Sequence, residues 1–108
     1  MPSMREKLQN AVPELVADVT LYPTEERGKK LAARPGWGCL CSVSKSSPPS
    51  GYDGWPLLKE PLTPGETRRV GFVFLSGEEA AAVFRKAGVF YLWEGRFIGE
   101  AVVVSQNG

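Results

Sequence analysis

The chain has 108 residues with 13 basic and 12 acidic side chains, no histidine and two cysteines. That length makes one domain and buries roughly 65% of the unfolded surface. A net charge of +1 excludes the strong field of a dedicated nucleic-acid or membrane binder, and no apolar run approaches the roughly 18 residues of a membrane helix.

In chain order, Ser3 and Glu6 form a capping-box pair. Met4, Leu8, Ala11 and Val12 fall on one helical stripe, and Pro13 stops it, so a short helix is expected over 3–12. Such a helix is marginal alone and must either lid the body or meet a partner. Residues 15–22 alternate Ala17, Val19 and Leu21 against Asp18 and Thr20, a strand signature. A charged loop follows over 24–30. Arg34-Pro35-Gly36 is turn chemistry, and a second strand is expected over 38–43.

Cys39 and Cys41 lie two apart on that strand, on one face and too far apart for an easy disulfide. Buried free thiols are the plain reading, with a redox or metal role as the alternative. The stretch 44–54, SKSSPPSGYDG, reads as an exposed loop, and 55–58 as a short strand. Pro61 to Gly65 turns the chain into a strand over 68–75, with Val70, Phe72 and Phe74 on one side. Ser76 and Glu79 form a second capping box for a helix over 78–86, with Ala80, Val83, Phe84 and Ala87 as its apolar face and Gly88 as its stop. Residues 88–104, GVFYLWEGRFIGEAVVV, form a hairpin about the Glu94-Gly95 turn. About six strands with one-sided apolar faces suggest an all-β domain that closes into a barrel and so hides its edges.

From Leu15 to Val104 the order of these features resembles the last β-barrel domain of elongation factor Tu. The resemblance rests on the strand Ala17–Tyr22 with its acidic, glycine-ended loop Thr24–Gly28, and on Gly36-Trp37 leading a strand. It rests also on Pro64-Gly65-Glu66 before the strand over 68–75, and on Glu94-Gly95-Arg96 with Gly99 in the last hairpin. It implies a small six-stranded Greek-key barrel over 14–104, here preceded by a helical segment over 1–13, interrupted by a helical insert near 78–86 and followed by a flexible tail over 105–108. Barrels of that family help to hold aminoacyl-tRNA and dock on a GTPase domain. This sequence departs from their pattern: Gly38-Cys39 stands where the family has Arg-Pro, and the basic stretch is kept only as Lys29-Lys30-Leu31.

Chemistry is sparse. There is no phosphate-binding GxxxxGK[ST] loop, histidine-dependent nucleophilic catalysis is impossible, and the acidic pairs Glu25-Glu26 and Glu78-Glu79 read as solvated surface. The expectation is a non-enzymatic, cytoplasmic binding module needing no cofactor, metal or nucleotide. Its partner would be a protein, one version being a small bacterial binder of the partner-neutralising, immunity type. The alternative is an RNA- or tRNA-binding accessory domain. For RNA the candidates are Arg27, Lys29, Lys30, Arg34 and Trp37, charge beside a stacking ring, with an ordinary solvated loop as the plain reading. For protein contact the candidates are Tyr52 and Trp55 beside the Pro/Gly-rich loop, with packing as the alternative role for each.

Overall fold

The computed structural model describes residues 11–104. Six strands form one antiparallel sheet that closes on itself: β1 (Leu15–Leu21), β2 (Cys39–Ser42), β3 (Tyr52–Pro56), β4 (Thr67–Phe74), β5 (Val89–Trp93) and β6 (Phe97–Val103). Around the barrel the order is β1-β4-β3-β2-β5-β6. The meander β2–β3–β4 is thus flanked by β1 beside β4 and β5 beside β2, two overlapping Greek keys sharing three strands. No helix among the described residues is long and apolar enough to cross a membrane.

Alternation fixes the inside. Leu15, Ala17, Val19 and Leu21 of β1 and Val70, Phe72 and Phe74 of β4 are buried, with the intervening residues more exposed. The centre is aromatic: Phe72, Phe74, Phe84 and Phe90 lie with ring centroids 4.5–6.3 Å apart. One barrel end is closed by the isolated bridge Ala33–Leu62 with Leu58, all buried. The other is closed by the helix α1 (Glu78–Ala87), which inserts Phe84.

Three local expectations are corrected. The N-cap of helix α1 is Gly77, with φ 62° and no side-chain cap, so the Ser76/Glu79 capping box does not form. The chain turns directly out of β4, with Gly77 N–H donating to the Phe74 carbonyl at 2.9 Å, and that tight exit needs the glycine at the cap. The buried face of α1 is Ala80, Ala81 and Phe84, while Val83 and Ala87 are exposed, because small alanines let the helix lie close on the barrel end. The third strand runs over Tyr52–Pro56 rather than 55–58. Its Gly54 faces inward where a Cβ would stand 2.8 Å from the Phe74 ring and 3.0 Å from Cys41 Sγ, so the glycine that looks like a turn residue is a packing residue.

The helix expected over 3–12 lies, except for its last two residues, outside the described residues, as does the tail 105–108. Ala11 and Val12 have no regular structure. Beyond them the lead-in to β1 is tied down: Glu14 N–H donates to the Phe72 carbonyl, Phe74 N–H donates to Glu14 Oε1, and Arg85 Nη1 donates to the Glu14 carbonyl, each at 2.8 Å.

Both thiols are free, Cys41 buried and Cys39 partly so. The adjacent Cys39 thiol, and then burial, push the Cys41 thiol well above its ordinary value. The thiolate is the reactive form. Iodoacetamide at neutral pH is therefore expected to modify Cys39 alone in the native protein and both cysteines in urea, as read by mass spectrometry.

Candidate functional site

Lys29 and Trp37, the two residues that pair charge with a ring in the sequence, are committed to each other and to the hairpin. Lys29 Nζ lies 2.5 Å from Glu94 Oε1, Trp37 Nε1 donates to Glu94 Oε2 at 2.6 Å, and the Lys29 ammonium stands 5.1 Å from the Trp37 ring centroid. The Lys29 side chain is 11% exposed against 43% for Glu94, so the lysine is the interior member of this clasp. Arg27, Lys30 and Arg34 are exposed and make no ion pair among the described residues. The loop thus splits into two paired members, Lys29 and Trp37, and three unpaired cations.

Burial raises the Glu94 carboxyl, but the Lys29 ammonium and the Trp37 N–H together outweigh it and hold the group below its ordinary value. A depressed folded value means that the clasp contributes fully above the usual carboxylate range and is lost as pH falls through the folded value. The Trp37 indole N–H resonance is expected to stay fixed down to the usual glutamate range and to move only below it. In Glu94→Gln it should show no such titration.

Tyr52 and Trp55 do not share a surface. They stand three apart on β3 and so point to opposite sides of the sheet. Tyr52 turns inward, edge-on to Phe84 with centroids 5.9 Å apart. Trp55 lies outside, across Gly38, where a Cβ would come within 2.4 Å of its indole nitrogen. With Trp93, Glu94 and Asp53 it borders a shallow depression of about 470 Å³.

A larger cleft of about 710 Å³ opens on the barrel wall, lined by Tyr22, Glu26, Arg27, Lys45, Ser46, Ser47, Pro49, Trp93, Arg96 and Phe97. Three segments build it. The 3-10 turn Thr24–Glu26 ends at Arg27, the one non-glycine residue with positive φ (72°) among those described. The β5–β6 hairpin brings Trp93, Arg96 and Phe97. The loop between β2 and β3 brings Lys45, whose ammonium lies over Tyr22 at 4.7 Å and Tyr91 at 5.2 Å from the ring centroids. Tyr22 donates to Glu100 Oε1 at 3.0 Å. Burial, with Glu100 adding to it against Lys45, pushes its phenol above the ordinary value, so the Tyr22 ring stays neutral. None of Arg27, Lys45 and Arg96 has a carboxylate within ion-pair reach among the described residues. Arg96 also borders a depression of about 260 Å³ beside Lys29 and Lys30.

Only Arg27 of this lining is among the sequence candidates. Trp93 had a legible signal: in β5 the parity that buries Phe90 and Leu92 turns Val89, Tyr91 and Trp93 outward. Lys45 had none, since it sits in a Ser/Pro-rich loop whose path the sequence does not reveal. What the arrangement can do chemically is hold an anion against flat apolar rings. Among the described residues, no group of three His, Cys, Asp or Glu could hold a metal ion. No family model, curated protein or solved structure matches the chain.

Proposed function

We propose that this chain is a non-enzymatic binding module of the elongation factor Tu terminal-barrel type, which contacts a partner protein through the cleft on its wall. The observation behind this reading is three cations around one ring-lined opening, each without an ion-pair partner among the described residues. The barrel interior is filled by its own side chains, so binding belongs on the outside. An RNA reading draws on Arg27, Lys30 and Arg34, but Lys29 and Trp37 are already engaged by Glu94. Nucleic-acid binders also spread many phosphate contacts over a basic face, whereas this chain carries a net charge of +1.

The test is affinity capture from a lysate of the native host, with bound protein and bound nucleic acid both identified. The wild type is expected to retain a discrete protein that Lys45→Glu with Arg96→Glu loses. Recovery of RNA instead, falling steeply with salt and lost in Arg27→Glu with Lys30→Glu, would replace this reading by the RNA-binding one. Trp55→Ala is an informative companion for the Trp55 surface. Tyr52→Ala is not, because it also removes a ring packed on Phe84.

A further inference from the structure

The charge of the cleft exceeds what a neutral or singly acidic segment would match. Arg27, Lys45 and Arg96 face it with Glu26 as the one carboxylate of the lining among the described residues. An aspartate or glutamate of a partner brings one negative charge. A phosphomonoester brings about −1.5 to −2 and three strong acceptor oxygens. Guanidinium groups present paired donors that match such oxygens two at a time, and Lys45 adds a point charge held at the wall by two ring faces. Of the remaining lining, Ser46 and Ser47 are polar, while the rings of Tyr22, Trp93 and Phe97 offer flat faces on which an aromatic stem can lie. The volume of about 710 Å³ falls within the size range of small-molecule sites, in a cleft that stays open to solvent. Arg27 enters this lining from the αL position that ends the 3-10 turn Thr24–Glu26.

We infer that the cleft takes a phosphomonoester on an aromatic stem, the chemistry of a phosphorylated tyrosine side chain; this rests on the protein-binding reading above and names the chemistry of the partner. Arg27 and Arg96 grip the phosphate oxygens, Lys45 completes the charge, and the rings receive the stem.

The probe is phenyl phosphate, titrated into the full chain at fixed ionic strength and followed by backbone and indole NMR. Saturable shifts are expected at 24–28, 44–49 and 93–97, including the Trp93 indole. Inorganic phosphate should bind at least tenfold more weakly. Lys45→Glu with Arg96→Glu should weaken phenyl phosphate at least tenfold with the remaining spectrum unchanged. Should that pair disturb the fold, Arg96→Gln alone is expected to give a several-fold loss. Absence of saturation, shifts centred elsewhere, equal affinity for inorganic phosphate, or tighter binding of a single-stranded RNA oligonucleotide at the same residues would each overturn the inference. A second arm treats the host lysate with phosphatase before capture. Loss of the cleft-dependent protein supports the inference. Its retention overturns the phosphate assignment and leaves the protein-binding reading standing. A partner retained by the Lys45/Arg96 variant overturns both.

Discussion

Phe84→Ala is expected to lower the free energy of unfolding by about 3–5 kcal/mol, the usual range for deleting a large aromatic side chain from a core. The residue is fully buried, with its ring centroid 4.5 Å from Phe90, 5.3 Å from Phe74 and 5.9 Å from Tyr52. It is also the only large side chain that α1 buries, the others being Ala80 and Ala81. A helix of 10 residues does not hold itself in water. Its first-turn glutamates, its last-turn Arg85 and Lys86 and its glycine stop each add only a fraction of what docking supplies. Truncation therefore leaves a cavity at the barrel centre and weakens the lid over it. Urea unfolding followed by tryptophan fluorescence measures the loss. Amide exchange should show 78–87 opening well before the strands. Val83→Ala, on the exposed side of the same helix, should change stability by no more than about 0.5 kcal/mol. A loss below about 1 kcal/mol in Phe84→Ala would mean that the barrel end closes without the helix.

That contrast between Phe84 and Val83 also shows where reading the sequence stops. Strands β1 and β4 were legible because apolar residues recur at every second position along β1 and from Val70 to Phe74 in β4, and one face must be buried. The presence of α1 was legible from its period and charges, but a period does not say which stripe faces inward. The barrel end chose Ala81 over Val83 because a close approach favours the smaller side chain. Strand β3 was hidden because its Asp53 and Gly54 are turn formers by propensity, and only the inward position of Gly54 against Phe74 reveals why a glycine belongs in this strand. The candidate site divides in the same way. Local spacing put Lys29 near Trp37, and the structure keeps them together. Their true partner, Glu94, lies 65 and 57 residues further on and arrives through the sheet, where no local pattern could announce it. Arg27, Lys45 and Arg96 come from three separate connections and meet only because the barrel closes.

Gly28→Ala should combine a large stability loss with damage to the cleft. Gly28 is buried, and its N–H donates to the Pro23 carbonyl at 2.9 Å. A Cβ there would stand 1.9 Å from the Tyr22 carbonyl oxygen and 2.6 Å from that of Pro23. The obstacle is backbone rather than a flexible side chain, so the turn must open. The cost should reach the upper part of the overpacking range, about 3 kcal/mol. The same opening displaces Arg27 and Tyr22, so phenyl phosphate affinity should fall several-fold even well below the unfolding midpoint. Arg27→Gly separates the two effects. A left-handed φ of 72° costs a non-glycine residue about 1–2 kcal/mol, and glycine removes that strain, partly offset by its greater freedom in the unfolded chain. This variant is expected to be as stable as the wild type or up to about 1 kcal/mol more stable, and at the same time to bind the probe several-fold more weakly. Stability gained with affinity lost would mean that the strained arginine is retained for its contact. A variant both less stable and unimpaired in binding would make Arg27 a structural residue and leave Lys45 and Arg96 alone to hold the anion.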